Sequence, residues 1–224
     1  MSVKGYARMA RPANCVTAGT GPAAAALVNG AGGGVAALLF AAGFFAYAFG
    51  TVLNDLLDRE KDARARPERP IPRGEVRPAG AAAATVVAAA ASCCAAALVS
   101  PTTALWYGGV CAVAAAYDTL KANVALRHLL MGTGRSANWA AGLWVTGTVR
   151  FWWAAVAVFL WTQILVLAAG RKTPQAGRLV AAGVLAFCVF DAALVVVCVG
   201  GWPARALCAA AACAFALAGF FPIG

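Results

Sequence analysis

Long apolar stretches recur along almost the whole chain, and they restrict its fold more than any other feature of the sequence. There are about eight of them, each of roughly 20 residues, which is the length that crosses a bilayer as a helix. Only 12% of the 224 residues are charged, whereas a soluble domain has about 25%. We therefore predict an all-α, polytopic membrane helix bundle rather than a soluble enzyme with one anchor.

The predicted spans fill most of the chain, and we expect residues 1–224 to form a single transmembrane domain. Ala and Gly dominate the spans, and small residues allow helices to pack closely in lipid. The spans are predicted at residues 12–29, 35–53, 79–99, 101–116, 128–146, 151–169, 179–199 and 203–221.

Basic residues predict the orientation of the bundle. The N-terminus and the segments after the second, fourth and sixth spans together hold fifteen of the 18 Lys and Arg residues. Basic residues accumulate on the cytoplasmic side of membrane proteins. We expect these segments to be cytoplasmic and the protein to lie in the plasma membrane. The uneven charge argues against a nucleic-acid partner, and the lipid bilayer is the expected surroundings.

The polar end of the second span carries three evenly spaced carboxylates. Asp55, Asp58 and Asp62 are three and then four residues apart, and a helix places such residues on one face. Mg²⁺ bound to a diphosphate suits this stripe, because Mg²⁺ is commonly held by a few carboxylates together with substrate phosphates. The alternative is a solvated charged loop, which often follows a membrane helix.

A second polar motif runs from Tyr117 to Lys121, at the end of the fourth span. The span count places it on the same membrane face as the three Asp residues, so the two motifs are predicted to form a cytoplasmic mouth of the bundle. A metal and a lysine neutralise the charge that develops on a diphosphate leaving group. The apolar interior below would hold a hydrophobic tail and exclude water.

Four motifs together resemble those of the UbiA-type intramembrane prenyltransferase superfamily, over roughly residues 11–178. The stretch 130–142 also resembles the EboC-like branch of that family. The family pattern R-P-x-N is matched by Arg11, Pro12 and Asn14, and the pattern N-D-x-x-D-x-x-x-D by Asn54, Asp55, Asp58 and Asp62. The pattern R-P-x-P-x-G is matched by Arg69, Pro70, Pro72 and Gly74, and the pattern Y-x-x-x-K by Tyr117 and Lys121.

The resemblance implies a function and a set of site residues. An isoprenyl diphosphate would be ionised with the help of Mg²⁺, and its prenyl group would be transferred to a hydrophobic or aromatic acceptor. The implied metal ligands are Asn54, Asp55, Asp58 and Asp62, and the implied catalytic residues are Asp55, Asp58, Asp62 and Lys121. The predicted diphosphate-binding set is Asn14, Asn54, Arg69, Tyr117, Lys121, Arg135 and Asn138, in which Arg135 and Asn138 are included because polar groups inside a membrane favour function.

Two departures from the family keep other functions open. Members carry a second motif, D-x-x-x-D, after the sixth span, but residues 170–175 contain no acid. Arg171 and Lys172 in that loop are candidates to neutralise phosphate instead. Members also have nine spans where eight are predicted here. The alternatives are a terpene cyclase, in which the prenyl cation is captured internally, and a non-catalytic membrane binding protein.

Overall fold

The structure is a computed structural model that describes residues 2–148, 150–171 and 173–220. The described part of the chain is all α-helical and contains no strand, which confirms the predicted fold class. Ten helices follow in the order α1 Val3–Ala10, α2 Pro12–Val28, α3 Gly33–Leu57, α4 Arg59–Ala65, α5 Pro78–Ala97, α6 Pro101–Leu120, α7 Val124–Thr146, α8 Trp152–Ala169, α9 Pro174–Cys198 and α10 Gly201–Phe220.

The eight long helices coincide with the eight predicted spans. Five of them, α3, α5, α8, α9 and α10, are both long and apolar enough to cross a membrane. Several helices are longer than predicted, because helical hydrogen bonding continues past the predicted ends of the spans. Helix α3 extends to Leu57 and α6 to Leu120, so the polar motifs are carried on rigid helix ends rather than in loops.

Helix α2 forms the centre of the bundle. Every residue from Ala13 to Val28 is buried, and α3, α7, α9 and α10 pack around it. Glycines permit this close approach. A Cβ added at Gly43 would lie 2.7 Å from the backbone oxygen of Ala18, and one at Gly142 would lie 2.5 Å from the backbone nitrogen of Ala26. The predicted packing through small residues is therefore present where α2 meets α3 and α7.

The polar segment between α3 and α5 folds back against the end of the bundle. Met9 from α1, Val52 from α3 and Val76 from the segment itself share a small apolar cluster. Arg8 of α1 donates to both carboxylate oxygens of Glu75, at 3.0 and 3.1 Å. Gly74 has φ +72°, a left-handed conformation that glycine adopts without steric cost. These contacts fix the segment that carries Arg69.

Candidate functional site

The three Asp residues lie on two helices rather than on one continuous helix. Helix α3 ends at Leu57, and Asp58 (φ −84°, ψ 4°) joins it to α4. Helix-like hydrogen bonds nevertheless cross the junction, since Asp58 N donates to Asn54 O at 2.9 Å and Asp62 N donates to Asp58 O at 2.8 Å. The predicted single helix is therefore wrong in detail, but the predicted grouping of the carboxylates is present.

Arg69 holds two of the carboxylates together. Its Nη1 lies 2.5 Å from Asp55 Oδ1 and 3.2 Å from Asp62 Oδ2. Arg11 Nη2 adds a second ion pair to Asp55 Oδ1, at 3.0 Å. Asp55 and Asp62 are both buried, so guanidinium groups compensate charges that would otherwise be costly to remove from water.

Lys121 joins the second motif to the first. Its Nζ lies 2.7 Å from Asn54 Oδ1, 2.8 Å from Asp58 Oδ2 and 3.5 Å from Asp118 Oδ1. The predicted meeting of the two motifs is therefore present. We call this group the mouth cluster, and it consists of Arg11, Asn54, Asp55, Asp58, Asp62, Arg69, Asp118 and Lys121.

The oxygen atoms of the mouth cluster are the kind that Mg²⁺ prefers. Among the described residues, no three His, Cys, Asp or Glu side chains are grouped closely enough to hold a metal ion by themselves. Arg69 and Lys121 lie between the carboxylates instead. This donor set fits an ion shared with substrate phosphates, because such phosphates complete the coordination and also attract the two basic side chains.

The side chains of three other predicted site residues make their contacts outside the mouth cluster. Arg135 stacks on Phe187, with its guanidinium carbon 4.2 Å from the ring centroid, and Asn138 Nδ2 donates to Ala18 O at 2.7 Å. Asn14 Nδ2 donates to the Tyr47 hydroxyl at 3.2 Å. Asn14 N also donates to Arg11 O of the mouth cluster, at 2.9 Å. The diphosphate-binding role assigned to Arg135, Asn138 and Asn14 stays a prediction.

Tyr117 and the loop between α8 and α9 complete the predicted set. Tyr117 is half-buried one turn before Lys121, and no hydrogen bond of the described residues joins it to the carboxylates. Arg171 is exposed, and Lys172 lies outside the described residues. Their proposed neutralisation of phosphate therefore stays a prediction.

Sequence reasoning did not assign a role to Arg11, Asp118 or Asp191. Arg11 was visible only as a motif match, but its φ of +52° is the one left-handed value at a non-glycine residue in the described chain, and such backbone conformations often mark functional sites. Asp118 lies within the Tyr117–Lys121 motif and is buried. Asp191 could have been singled out from the sequence, because an acid inside a predicted span favours a functional role.

Comparison with known proteins identifies the family. The sequence profile described as "UbiA prenyltransferase family" matches residues 14–221. The chain belongs to the UbiA prenyltransferase family. It is accordingly an integral membrane protein. The resemblance of residues 130–142 to the EboC-like branch stays a prediction.

Curated relatives of this UbiA-family chain match it over one part only. A digeranylgeranylglyceryl phosphate synthase of Methanothrix thermoacetophila is 43% identical over 74 residues, which are 32% of this chain and 28% of the relative. The synthase of Methanopyrus kandleri is 42% identical over 82 residues, 35% of this chain and 30% of the relative. The matched parts therefore span less than a third of either relative.

Solved structures match nearly the whole UbiA-family bundle. One comes from work on digeranylgeranylglyceryl phosphate synthase in membranes; it has a TM-score of 0.65 and 18% identity, covering 96% of this chain and 84% of that one. Another is a UbiA homologue from Archaeoglobus fulgidus bound to GPP and Mg²⁺, with a TM-score of 0.64 and 15% identity, covering 96% of this chain and 86% of that one. At such identities the likeness establishes the shared fold.

Proposed function

We propose that this chain is a Mg²⁺-dependent prenyltransferase. It would take an isoprenyl diphosphate at the mouth cluster and transfer the prenyl group to a hydrophobic, aromatic acceptor within the membrane. The observation that carries the proposal is the mouth cluster itself, in which Asp58, between α3 and α4, meets Lys121 at the end of the bundle. We also propose that residues 1–224 act as one domain in the plasma membrane, with the mouth facing the cytoplasm.

The relatives support the same chemistry. Two solved structures of the Archaeoglobus fulgidus UbiA homologue contain Mg²⁺ with GPP or with DMAPP, and the curated relatives are named as synthases of a digeranylgeranylglyceryl phosphate. Asn54, Asp55, Asp58 and Asp62 are the residues proposed to hold Mg²⁺. When bound, the ion would neutralise charge on the diphosphate as its bond to the prenyl carbon weakens.

The chain's own basic residues would complete the neutralisation. Lys121 has three N–H donors and Arg69 has five, and both now donate to carboxylates. Phosphate oxygens attract the same donors. We therefore propose that Arg69 and Lys121 share their hydrogen bonds with the diphosphate once it is bound. This exchange would leave the carboxylates available as metal ligands.

The proposal is tested by measuring diphosphate release from the purified protein in detergent. Geranyl, farnesyl and geranylgeranyl diphosphates are offered with Mg²⁺, first alone and then with aromatic acceptors, and organic products are identified by mass spectrometry. A prenylated product that requires an acceptor supports the proposal. A cyclised hydrocarbon formed without an acceptor would identify a cyclase instead.

A matched pair of variants separates a working site from an inactive one. Asp55→Ala combined with Asp58→Ala removes two carboxylates of the mouth cluster, and release should fall by about a hundredfold or more, as when a group that stabilises transition-state charge is lost. Glu60→Gln removes a nearby acid whose side chain is 85% exposed, and it should leave release unchanged. No release by the folded wild-type protein from any donor would favour a non-catalytic binding protein.

A further inference from the structure

A second polar site lies inside the bundle, below the mouth cluster. It surrounds a cavity of about 20 Å³ between α2, α7, α8 and α9, which is room for about one water molecule or one hydroxyl group. Its polar lining includes Thr17, Arg135, Asn138, Trp139 and Asp191. Thr17 lies six residues beyond Arg11 in the chain, about 9 Å further along α2 at 1.5 Å per residue.

The cavity has an acidic and a basic side chain on its wall, Asp191 and Arg135. Asp191 accepts hydrogen bonds from Thr20 Oγ1 at 2.7 Å and from Trp139 Nε1 at 3.2 Å. Arg135 lies over the rings of Tyr47 and Phe187, and its Nη2 donates to Thr17 Oγ1 at 3.5 Å. The ion pairs of the described residues include none between Arg135 and Asp191. Ionisable side chains inside a membrane normally pair with one another or with backbone groups, so an acid and a base that line one cavity without pairing leave a place for a small polar group.

One residue of the lining also has an unpartnered acceptor. Asn138 is 7% exposed, and its Oδ1 is buried with no hydrogen-bond partner. An unpartnered buried amide oxygen is costly, and buried groups of this kind commonly mark the place of a bound partner. The lining therefore offers a donor, the Arg135 guanidinium, and an acceptor, the Asp191 carboxyl, whereas Asn138 Oδ1 lies beside α3, 3.0 Å from a Cβ added at Gly43.

We propose that this cavity binds a single uncharged hydroxyl group of the acceptor. A hydroxyl group can accept one hydrogen bond and donate another. It therefore matches a lining that has a hydrogen-bond donor, Arg135, and a hydrogen-bond acceptor, Asp191. The size of the cavity admits one oxygen atom and little more. The rest of the acceptor substrate would extend along α2 toward the mouth cluster. According to the proposed function, the reacting carbon of the prenyl diphosphate would lie there. This inference rests on that function.

The inference is tested by ligand binding without any prenyl donor or Mg²⁺. The probes are 4-propylphenol and 4-propylanisole, which differ by a methyl group on the oxygen. Equilibrium dialysis in detergent gives a dissociation constant for each, and the ratio of the two cancels most of their similar partitioning into micelles. We expect the phenol to bind about tenfold more tightly, as for a hydrogen bond to a charged group.

Two variants and one control assign the preference to the cavity. Arg135→Gln and Asp191→Asn should bring the ratio close to one. Ser92→Ala removes a buried hydroxyl that bonds Ala42 O in another part of the bundle, and it should retain the wild-type ratio. Size-exclusion chromatography confirms folding, and if Asp191→Asn does not fold, Arg135→Gln decides the result.

The outcomes separate this inference from the proposed function. Equal affinities in the wild-type protein, or a preference that survives both variants, would overturn the inference and leave an internal water as the occupant. Because the binding assay contains no donor, it is independent of diphosphate release. A hydroxyl preference in a protein that releases no diphosphate would retain the site and reject the prenyltransferase proposal.

Discussion

Lys121 and Asp58 form an ion pair across the mouth of the bundle, with 2.8 Å between Lys121 Nζ and Asp58 Oδ2. Asp58 directly follows α3 and Lys121 directly follows α6, and the side chains of Lys121 and Asp58 are 19% and 23% exposed. A basic group held this close to the motif carboxylates is positioned for a diphosphate that binds there. The pair therefore links the two sequence motifs in one site.

Lys121→Met should reduce diphosphate release by about a hundredfold, because the variant loses a cation that would stabilise the leaving group. Lys61→Met is the matched control, since Lys61 is an exposed lysine of the same polar segment, and it should retain wild-type release. Initial rates with saturating donor are the measurement. Equal rates for Lys121→Met and Lys61→Met would contradict a role for Lys121.

Arg69→Gln should strengthen metal binding in the absence of donor. Arg69 Nη1 forms ion pairs with Asp55 and Asp62. The guanidinium group therefore competes with a metal ion for these carboxylates. Mn²⁺ is a paramagnetic substitute for Mg²⁺ whose free fraction is measured by electron paramagnetic resonance. We expect the Mn²⁺ affinity of Arg69→Gln to rise several-fold, on the order of the coupling between nearby charges, while diphosphate release falls.

The control for this prediction is Arg73→Gln. Arg73 lies in the same turn but pairs with Glu75 at 3.4 Å and is 56% exposed. Its Mn²⁺ affinity should equal that of the wild-type protein. A Mn²⁺ affinity that stays the same or decreases in Arg69→Gln would show that Arg69 does not restrict access of the metal to these carboxylates.

Asp118→Asn should weaken donor binding more than it slows the bound complex. Asp118 is buried and lies 3.5 Å from Lys121 Nζ, so we assign it a positioning role for that ammonium group. Residues that orient a ligand-contacting group typically change affinity by about tenfold. The KM for the donor should rise by that amount with a smaller change in kcat, and Asp118→Glu should restore part of the affinity. A fall confined to kcat would contradict this assignment.

The helical architecture and the mouth cluster were largely predictable from sequence. Apolar stretches determine where spans lie, because each must match the thickness of the bilayer. Asn54, Asp58 and Lys121 were predicted together because their motifs follow the second and fourth spans, and the span count places those two span ends on the same membrane face. The break in the helix at Asp58 was not predictable, since spacing alone does not distinguish one helix from two that continue the same hydrogen-bond pattern.

The interior cavity was not predictable for a different reason. Thr20 and Asp191, which share a hydrogen bond, are separated by 171 positions in the chain. Trp139 and Asp191 are separated by 52. Such contacts depend on how helices rotate and pack around α2, and hydrophobic pattern does not specify that rotation. Arg135 was recognisable as unusual from its place inside a span, but its neighbours were not.

The final prediction concerns the close packing around α2. Gly43→Val should lower the stability of the bundle, because its side chain would meet the backbone oxygen of Ala18, 2.7 Å from an added Cβ. Overpacking of this kind costs about 1–3 kcal/mol. Gly108→Val is the control, since Gly108 is an exposed helix position with open space around its added Cβ. Thermal unfolding in detergent should give a lower midpoint for Gly43→Val alone, and equal midpoints for the two variants would contradict the close approach of α2 and α3.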